Sequence, residues 1–276
     1  MTELDGQLSG PGGTISRMGN DLPQRTNPFV SVAPDAYARG RPYHHPRALA
    51  RMAEWIGESP VGRALDVACG TGLSSVALSD FARHVIGVEA VFEMVARAPR
   101  GEGRAYVSAV AEALPVADAS VDLLTVASAI HWFDQPAFFA EAARTLRPGG
   151  WLAIYDYYFL GQIEGQPEFS AWNRDVYLPL FPIPSRGRHF DPEAQAPPRF
   201  ALLGADDWRE TIHLTHRQLV DYIVSQSNAI VAVAAGSTNE AWLRTWLLTE
   251  TERFFPNEQS SQPFPHWGTL ACLQRT

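Results

Sequence analysis

The stretch Ala64-Leu65-Asp66-Val67-Ala68-Cys69-Gly70-Thr71-Gly72 joins a short apolar run to a glycine turn, and Leu73-Ser74-Ser75-Val76-Ala77-Leu78 follows at once. The apolar run reads as a buried strand and the last six residues as the start of a helix. Gly70 and Gly72 carry no Cβ, so the turn between them can be sharp and can approach a ligand closely. Such a loop presents backbone N–H groups at a helix N-terminus, a seat for a carboxylate or a phosphate. Strand, glycine loop and helix together predict a nucleotide-type cofactor site.

From residue 63 onward, β-rich runs recur at 63–67, 84–88, 104–108, 121–127 and 151–157. Helical segments at 72–82, 91–98 and 136–146 separate several of them. Strands alternating with helices predict an α/β protein with a mostly parallel sheet covered on both faces. Runs at 208–214 and 268–274 bring the strands to seven. A further helix is expected from Pro46 to Ile56, with proline tolerated in its first turn. Asp134 is the expected N-cap of the 136–146 helix, which Pro148-Gly149-Gly150 ends. Two more helices are expected over 216–229 and 238–254. Residues 160–205 instead place seven prolines among aromatic residues, material for a cap over a pocket rather than for a central strand. Residues 1–28 are rich in Gly, Pro and Ser and read as a flexible segment.

Composition removes several function classes. All 22 basic residues are Arg, so a lysine Schiff base, a P-loop lysine and a lysine general base are excluded. Net charge is −8 with no basic stripe, so neither nucleic acid nor a membrane surface is an expected partner. No apolar run reaches the roughly 20 residues that cross a bilayer, and no basic-then-apolar leader opens the chain, so a cytoplasmic location is expected. Two cysteines, Cys69 and Cys272, are too few for a disulfide scaffold, and no His/Asp/Glu cluster has metal-ligand spacing; no metal is expected.

In an open α/β sheet the ligand lies across the carboxyl ends of the strands. The run His84–Val88 ends at Glu89, where a carboxylate can accept two hydrogen bonds from a ribose diol. The next two strands are followed by Ala111-Glu112-Ala113-Leu114-Pro115 and by Ser128-Ala129-Ile130-His131-Trp132-Phe133-Asp134.

These pieces, together with Leu146-Arg147-Pro148-Gly149-Gly150 and the upstream Ala36-Tyr37-Ala38-Arg39-Gly40-Arg41-Pro42, resemble class I S-adenosylmethionine (SAM)-dependent methyltransferases. Within that class the chain is similar to small-molecule enzymes of the trans-aconitate methyltransferase group. The likeness covers about residues 35–157. It implies a Rossmann-like, seven-stranded sheet, SAM as cofactor and S-adenosylhomocysteine as product. It also implies that Asp66, Ala68, Gly70 and Gly72 surround the methionine end of SAM, that Glu89 holds the ribose hydroxyls, and that Ala111 and Glu112 border the adenine. Ser128 and His131 are then expected beside the sulfonium, with Tyr37 and Arg41 closing over the methionine. Two positions depart from the family: Val110 supplies no acceptor for the adenine amine, and His44 stands where relatives carry Tyr.

The expected organisation is a flexible segment (1–28), a SAM-binding core (29–159), a cap (160–207) and a C-terminal part (208–276) completing the sheet and acceptor pocket. The expected reaction is methyl transfer to a small molecule, at a carboxylate or hydroxyl oxygen or at carbon or nitrogen. A carboxylate acceptor needs no base. For a hydroxyl or carbon acid His131 is the first candidate base and His44 the second. The same cofactor residues would serve a SAM-binding protein that transfers no methyl group. Gly70-Thr71-Gly72-Leu73-Ser74-Ser75 also approaches a dinucleotide fingerprint, though Ser75 replaces its third glycine. A monomer or homodimer is expected, and the Arg-only, Ala-, Gly- and Pro-rich composition suits bacterial secondary metabolism.

Overall fold

The alternation of strands and helices closes into one seven-stranded sheet in a computed structural model, which describes residues 8–10, 13–15, 29, 34–57, 60–185, 190–193 and 197–276. The strands are β1 (Val61–Val67), β2 (Ala82–Glu89), β3 (Arg104–Ser108), β4 (Val121–Ala127), β5 (Leu146–Phe159), β6 (Phe200–Thr215) and β7 (Ser261–Arg275). Their order is β3-β2-β1-β4-β5-β7-β6, and the four pairings from β3 to β5 are parallel. The order reverses direction at β1, which makes the β1/β4 seam the switch point where such sheets bind ligands. Of the expected flexible segment, Leu8–Gly10 and Gly13–Ile15 pair as a short antiparallel ribbon, and its other residues lie outside the described ones.

Side chains alternate across each strand, so neighbours along the chain enter different cores. Leu65 and Val67 of β1, Leu124 and Val126 of β4, and Leu152 and Ile154 of β5 pack with Phe138, Phe139, Ala142 and Ala143 of helix α5 (Gln135–Thr145). Ala64, Leu123, Ala153 and Tyr155 face the other way, onto Ala48, Leu49 and Met52 of α2 (His45–Ile56) and Ala77 and Leu78 of α3 (Leu73–Leu78). A parallel sheet covered on both faces needs near-continuous apolar strands, which β1 and β4 have.

The expected caps are present: Asp134 accepts from Ala137 N at 3.3 Å, and Pro46 and Pro136 sit in the first turns of α2 and α5. The helices expected over 72–82 and 91–98 are shorter, Leu73–Leu78 and Phe92–Val95 (α4). After each, the amides reach back three residues (Phe81 to Leu78, Ala98 to Val95), a tightening that turns the chain toward the next strand.

The chain divides into two compact units. One draws on Tyr43–Tyr158, Arg186–Arg209 and Trp267–Thr276, and holds both cores described above. The other draws on Met1–Pro42, Phe159–Ser185 and Glu210–His266. Its core is aromatic, built from Phe169, Trp172, Tyr177, Phe181, Tyr222 and Phe264 with Leu243 and Leu247. Here α1 (Pro34–Gly40) lies so close to α8 (His216–Val224) that a Cβ on Gly40 would stand 2.2 Å from Asp221 O. The single helix expected over 216–229 is two, α8 and α9 (Ser227–Ala234). Ser225 breaks it, its carbonyl taken by Arg41 Nη2 at 2.8 Å and its hydroxyl by Tyr222 O at 2.7 Å. The strand expected at 208–214 begins at Phe200, inside the stretch read as a cap, while 167–180 is helical, from α6 (Pro167–Trp172) through Asn173–Tyr177 to α7 (Leu178–Leu180).

Candidate active site

The carboxyl ends of β1 to β5 carry most of the expected site residues, and all of these lie in the first unit described. Asp66, the penultimate residue of β1, is wholly buried. Its Oδ2 accepts from Ser75 Oγ at 2.6 Å and Ser74 Oγ at 2.7 Å, and its Oδ1 from Thr125 Oγ1 at 3.1 Å. The residue therefore joins β1 to α3 and β4. Burial is the main influence on its carboxyl and outweighs the three hydroxyls, lifting its pKa to about 6. The partners Ser74, Ser75 and Thr125 were not singled out from the sequence; the two serines could have been, since a buried acid needs donors nearby.

Beyond Asp66 the backbone turns left-handed repeatedly, at Ala68 (φ +58°), Gly70 (+56°) and Gly72 (+84°). Ser128, which follows β4, does the same at +51°. Non-glycine residues seldom adopt this conformation, and two of them stand at the ends of adjacent central strands. Gly72 has a second reason to lack a Cβ, because one would meet Tyr106 Oη at 2.9 Å.

Glu89 ends β2 and spans two loops. Its Oε2 accepts from Gly70 N at 3.1 Å and its Oε1 from Val91 N at 2.9 Å. Cys69 N donates to Val88 O and Ala109 N to Glu89 O, so the ends of β1, β2 and β3 are laced together. Each Glu89 oxygen keeps accepting capacity beyond the bond it makes, which suits a diol. Ala111 is buried in the core, and Glu112 accepts from Asp134 N at 2.9 Å, joining its loop to the cap of α5. Val110 is 48% exposed and Phe92 65%.

The loop after β3 has a clamp the sequence did not disclose. Arg144 on α5 donates to Leu114 O, Val116 O, Asp118 and Glu141, while Glu141 accepts from Leu114 N. The Arg144 bonds are the main reason the Glu141 carboxyl lies below its usual range.

His131 lies on the short turn Ile130–Trp132, its ring tilted against Trp132 at 5.1 Å. His44 precedes α2 and stacks flat on Tyr157, centroids 3.6 Å apart. Tyr37 and Arg41 belong to the other unit, where the Arg41 guanidinium lies over the Tyr37 ring at 4.8 Å. Among the described residues no group of three or more His, Cys, Asp or Glu could hold a metal ion, and no helix is long and apolar enough to cross a membrane.

Residues 65–154 match the methyltransferase domain family. An uncharacterized methyltransferase of Mycobacterium tuberculosis is 31% identical over 204 residues, covering 72% of this chain and 76% of the relative. The chain belongs to the SAM-dependent methyltransferases. A demethylmenaquinone methyltransferase of Clavibacter sepedonicus is 34% identical to this methyltransferase over 160 residues, 54% of this chain and 60% of that one. A structure from Anaeromyxobacter dehalogenans, described as a type II methyltransferase, aligns with a TM-score of 0.63 at 23% identity, covering 80% and 94% of the two chains; the two share a fold. The methyl donor is SAM. The left-handed glycine loop and a Glu89 carboxylate with accepting capacity to spare fit it.

Proposed function

We propose that the enzyme methylates a small organic molecule, at a carboxylate or hydroxyl oxygen in preference to carbon or nitrogen. The observation that carries this reading is Glu89, a carboxylate that keeps accepting capacity, as a ribose diol would need, beside a left-handed glycine loop at the sheet's switch point. The likeness to the trans-aconitate group supports a small acidic acceptor. The Clavibacter relative, named for demethylmenaquinone, supports a small acceptor of another kind.

In this reading Glu89 binds the ribose hydroxyls, Ala111 and Glu112 border the adenine, and the backbone of Ala68, Gly70 and Gly72 turns around the methionine end. Asp66 acts from beneath, holding the loop and α3 in place. Arg41 and Tyr37 supply a guanidinium and a phenol for the methionine carboxylate. Ser128 and His131 border the reacting centre, with His131 and His44 as candidate bases. SAM supplies an already activated methyl group, so the protein's work is alignment and exclusion of water. The proposal extends to a cap drawn from the part of 160–207 that precedes β6, a monomer or homodimer in the cytoplasm, and a role in bacterial secondary metabolism.

The test is calorimetric titration with SAM, S-adenosylhomocysteine and NAD, repeated with Glu89→Ala. SAM and S-adenosylhomocysteine are expected to bind and to lose about 10- to 100-fold in affinity on mutation, as for loss of charge-assisted hydrogen bonds. Binding of NAD alone, or unchanged affinity in the variant, would sink the assignment. Screening carboxylic acids, phenols and alcohols for S-adenosylhomocysteine release then identifies the acceptor.

A further inference from the structure

Among the described residues no large apolar side chain is more exposed than Phe92, which opens α4 three residues after Glu89. Val110, 48% exposed, stands in the loop after β3. Both belong to the unit that holds the glycine loop. We propose that Phe92 and Val110 seat the base of the cofactor by its faces, and that the site leaves the 6-amino group of that base unread. This rests on the methyltransferase reading above and deepens it, by naming the residues that hold the base and the part of it that goes unrecognised.

Register brings the two loops together. Glu89 pairs with Ser108 across β2 and β3, Ala109 N donates to Glu89 O at 3.0 Å, and Ser108 Oγ donates to Ala90 O at 3.3 Å. The segments that carry Phe92 and Val110 therefore leave the sheet side by side, about one strand spacing of 5 Å apart. The order β3-β2-β1 puts the glycine loop on one side of Glu89 and the Val110 loop on the other. Gly70 N holds Glu89 Oε2 on the first side, and Val91 N holds Oε1 at the start of the Phe92 turn. A ribose bound at Glu89 carries its base and its methionine arm on opposite sides of the sugar ring. With the methionine arm along the glycine loop, the base is directed over the ends of β2 and β3.

The side chains there are of one chemical kind. Ala90, Val91 and Phe92 are all apolar, and between Ala109 and Pro115 the single polar side chain is Glu112. Glu112 is already engaged, its Oε1 accepting from Asp134 N at 2.9 Å. A 6-amino group is a donor and calls for an acceptor, which Val110 lacks at the position where the family often carries one. Exposed apolar side chains beside a ligand site gain by being covered. A purine offers them a π-face that is nearly the same whatever its edge carries, so stacking holds the base without reading its substituents.

The test is calorimetric and needs no acceptor. The full chain is titrated with S-adenosylhomocysteine and with its 6-deamino analogue, in which hydrogen replaces the amine and the ring nitrogens are kept. The two affinities are expected to agree within about threefold, less than a typical hydrogen bond contributes. Val110→Asp is expected to make S-adenosylhomocysteine the tighter ligand by about 10-fold, as a bond to a charged acceptor does. Phe92→Ala is expected to weaken both ligands alike, by about 5- to 100-fold, the loss of one base–aromatic stack. Because Phe92 is exposed, the ligand-free melt of that variant is expected to match the wild type. A larger wild-type preference for the amine overturns the unread edge. A Phe92→Ala variant that binds as the wild type does, or a Val110→Asp variant that treats the two ligands equally, overturns the placement of that residue. Each of these results leaves the methyltransferase reading standing, whereas failure of both ligands to bind the wild type overturns that reading too.

Discussion

Ser75 Oγ donates to Asp66 Oδ2 at 2.6 Å, and through that bond the strand before the glycine loop is tied to the helix after it. The loop's left-handed residues are thus held from below by a buried carboxyl that also receives Ser74 and Thr125.

Asp66 gives a pH-dependent stability of definite sign. Its folded pKa of about 6 lies above the ordinary 3.8, so the folded state binds this proton more tightly than the unfolded chain does. The stabilisation it contributes is full below the ordinary value and shrinks as pH rises to about 6, by about 3 kcal/mol. In urea melts from pH 4 to 7, the wild type is expected to lose stability relative to Asp66→Asn up to about pH 6 and to run parallel above it. A difference that stays constant across the range would refute the perturbed carboxyl.

His266 has the opposite sign. It is wholly buried, contacts Phe264 O through Nδ1 at 3.0 Å and Tyr222 Oη through Nε2 at 3.3 Å, and burial lowers its pKa to about 4. The carbonyl can only accept, so Nδ1 carries the hydrogen of the neutral ring. The folded state resists a proton that the unfolded chain takes up near pH 6.5, so stability falls as pH drops from there toward 4, by about 3 kcal/mol. His266→Gln is expected to flatten that fall in denaturant melts over the same interval. An unchanged slope counts against it.

Gly72→Ala meets both a φ of +84° and the Tyr106 phenol oxygen at 2.9 Å. The left-handed backbone alone costs an alanine about 1–2 kcal/mol, and the contact adds to it. The Gly72→Ala/Tyr106→Phe double variant is expected to recover only the hydroxyl's share of the contact, since Ala98 Cβ and Pro99 Cδ also stand 3.1 Å from the added Cβ, and none of the backbone part. Thermal melts that show full recovery would place the whole cost in the contact.

Arg144→Ala removes the donor of four partners and frees the loop from 114 to 118. Because the guanidinium is about one-third exposed, the expected loss is about 2 kcal/mol rather than that of a buried pair. Arg144→Lys is expected to recover little, since an ammonium lacks the planar fork that reaches both carbonyls and carboxylates. Chemical denaturation of the three proteins measures this, and a lysine variant as stable as wild type would contradict it.

The sheet and its loop were legible because their signals are local. Short β-rich runs mark β1 to β5, Gly70 and Gly72 mark the turn, and Asp134 with Pro136 marks a helix start. The features that escaped join residues far apart in the chain. His45 Nδ1 lies 2.9 Å from Tyr155 Oη although the two residues are 110 positions apart, and Arg41 and Ser225 are 184 apart. No window of sequence contains either pair. The break between α8 and α9 escaped for this reason: Ser225 alone is a tolerable helix residue, and the end of the helix is set by an arginine from α1's flank. The strand from Phe200 was obscured differently, since prolines just before it gave the region the composition of a loop.

Glu89 is at once a proposed ligand group and a part of the resting architecture, bonded to Gly70 N and Val91 N before any cofactor arrives. Melting temperature is therefore a confounded assay at this position. A substitution there lowers the baseline of the free protein as well as the gain on adding ligand, and a thermal-shift screen would mix the two. Affinities measured directly, at a temperature where every variant is folded, separate recognition from scaffolding.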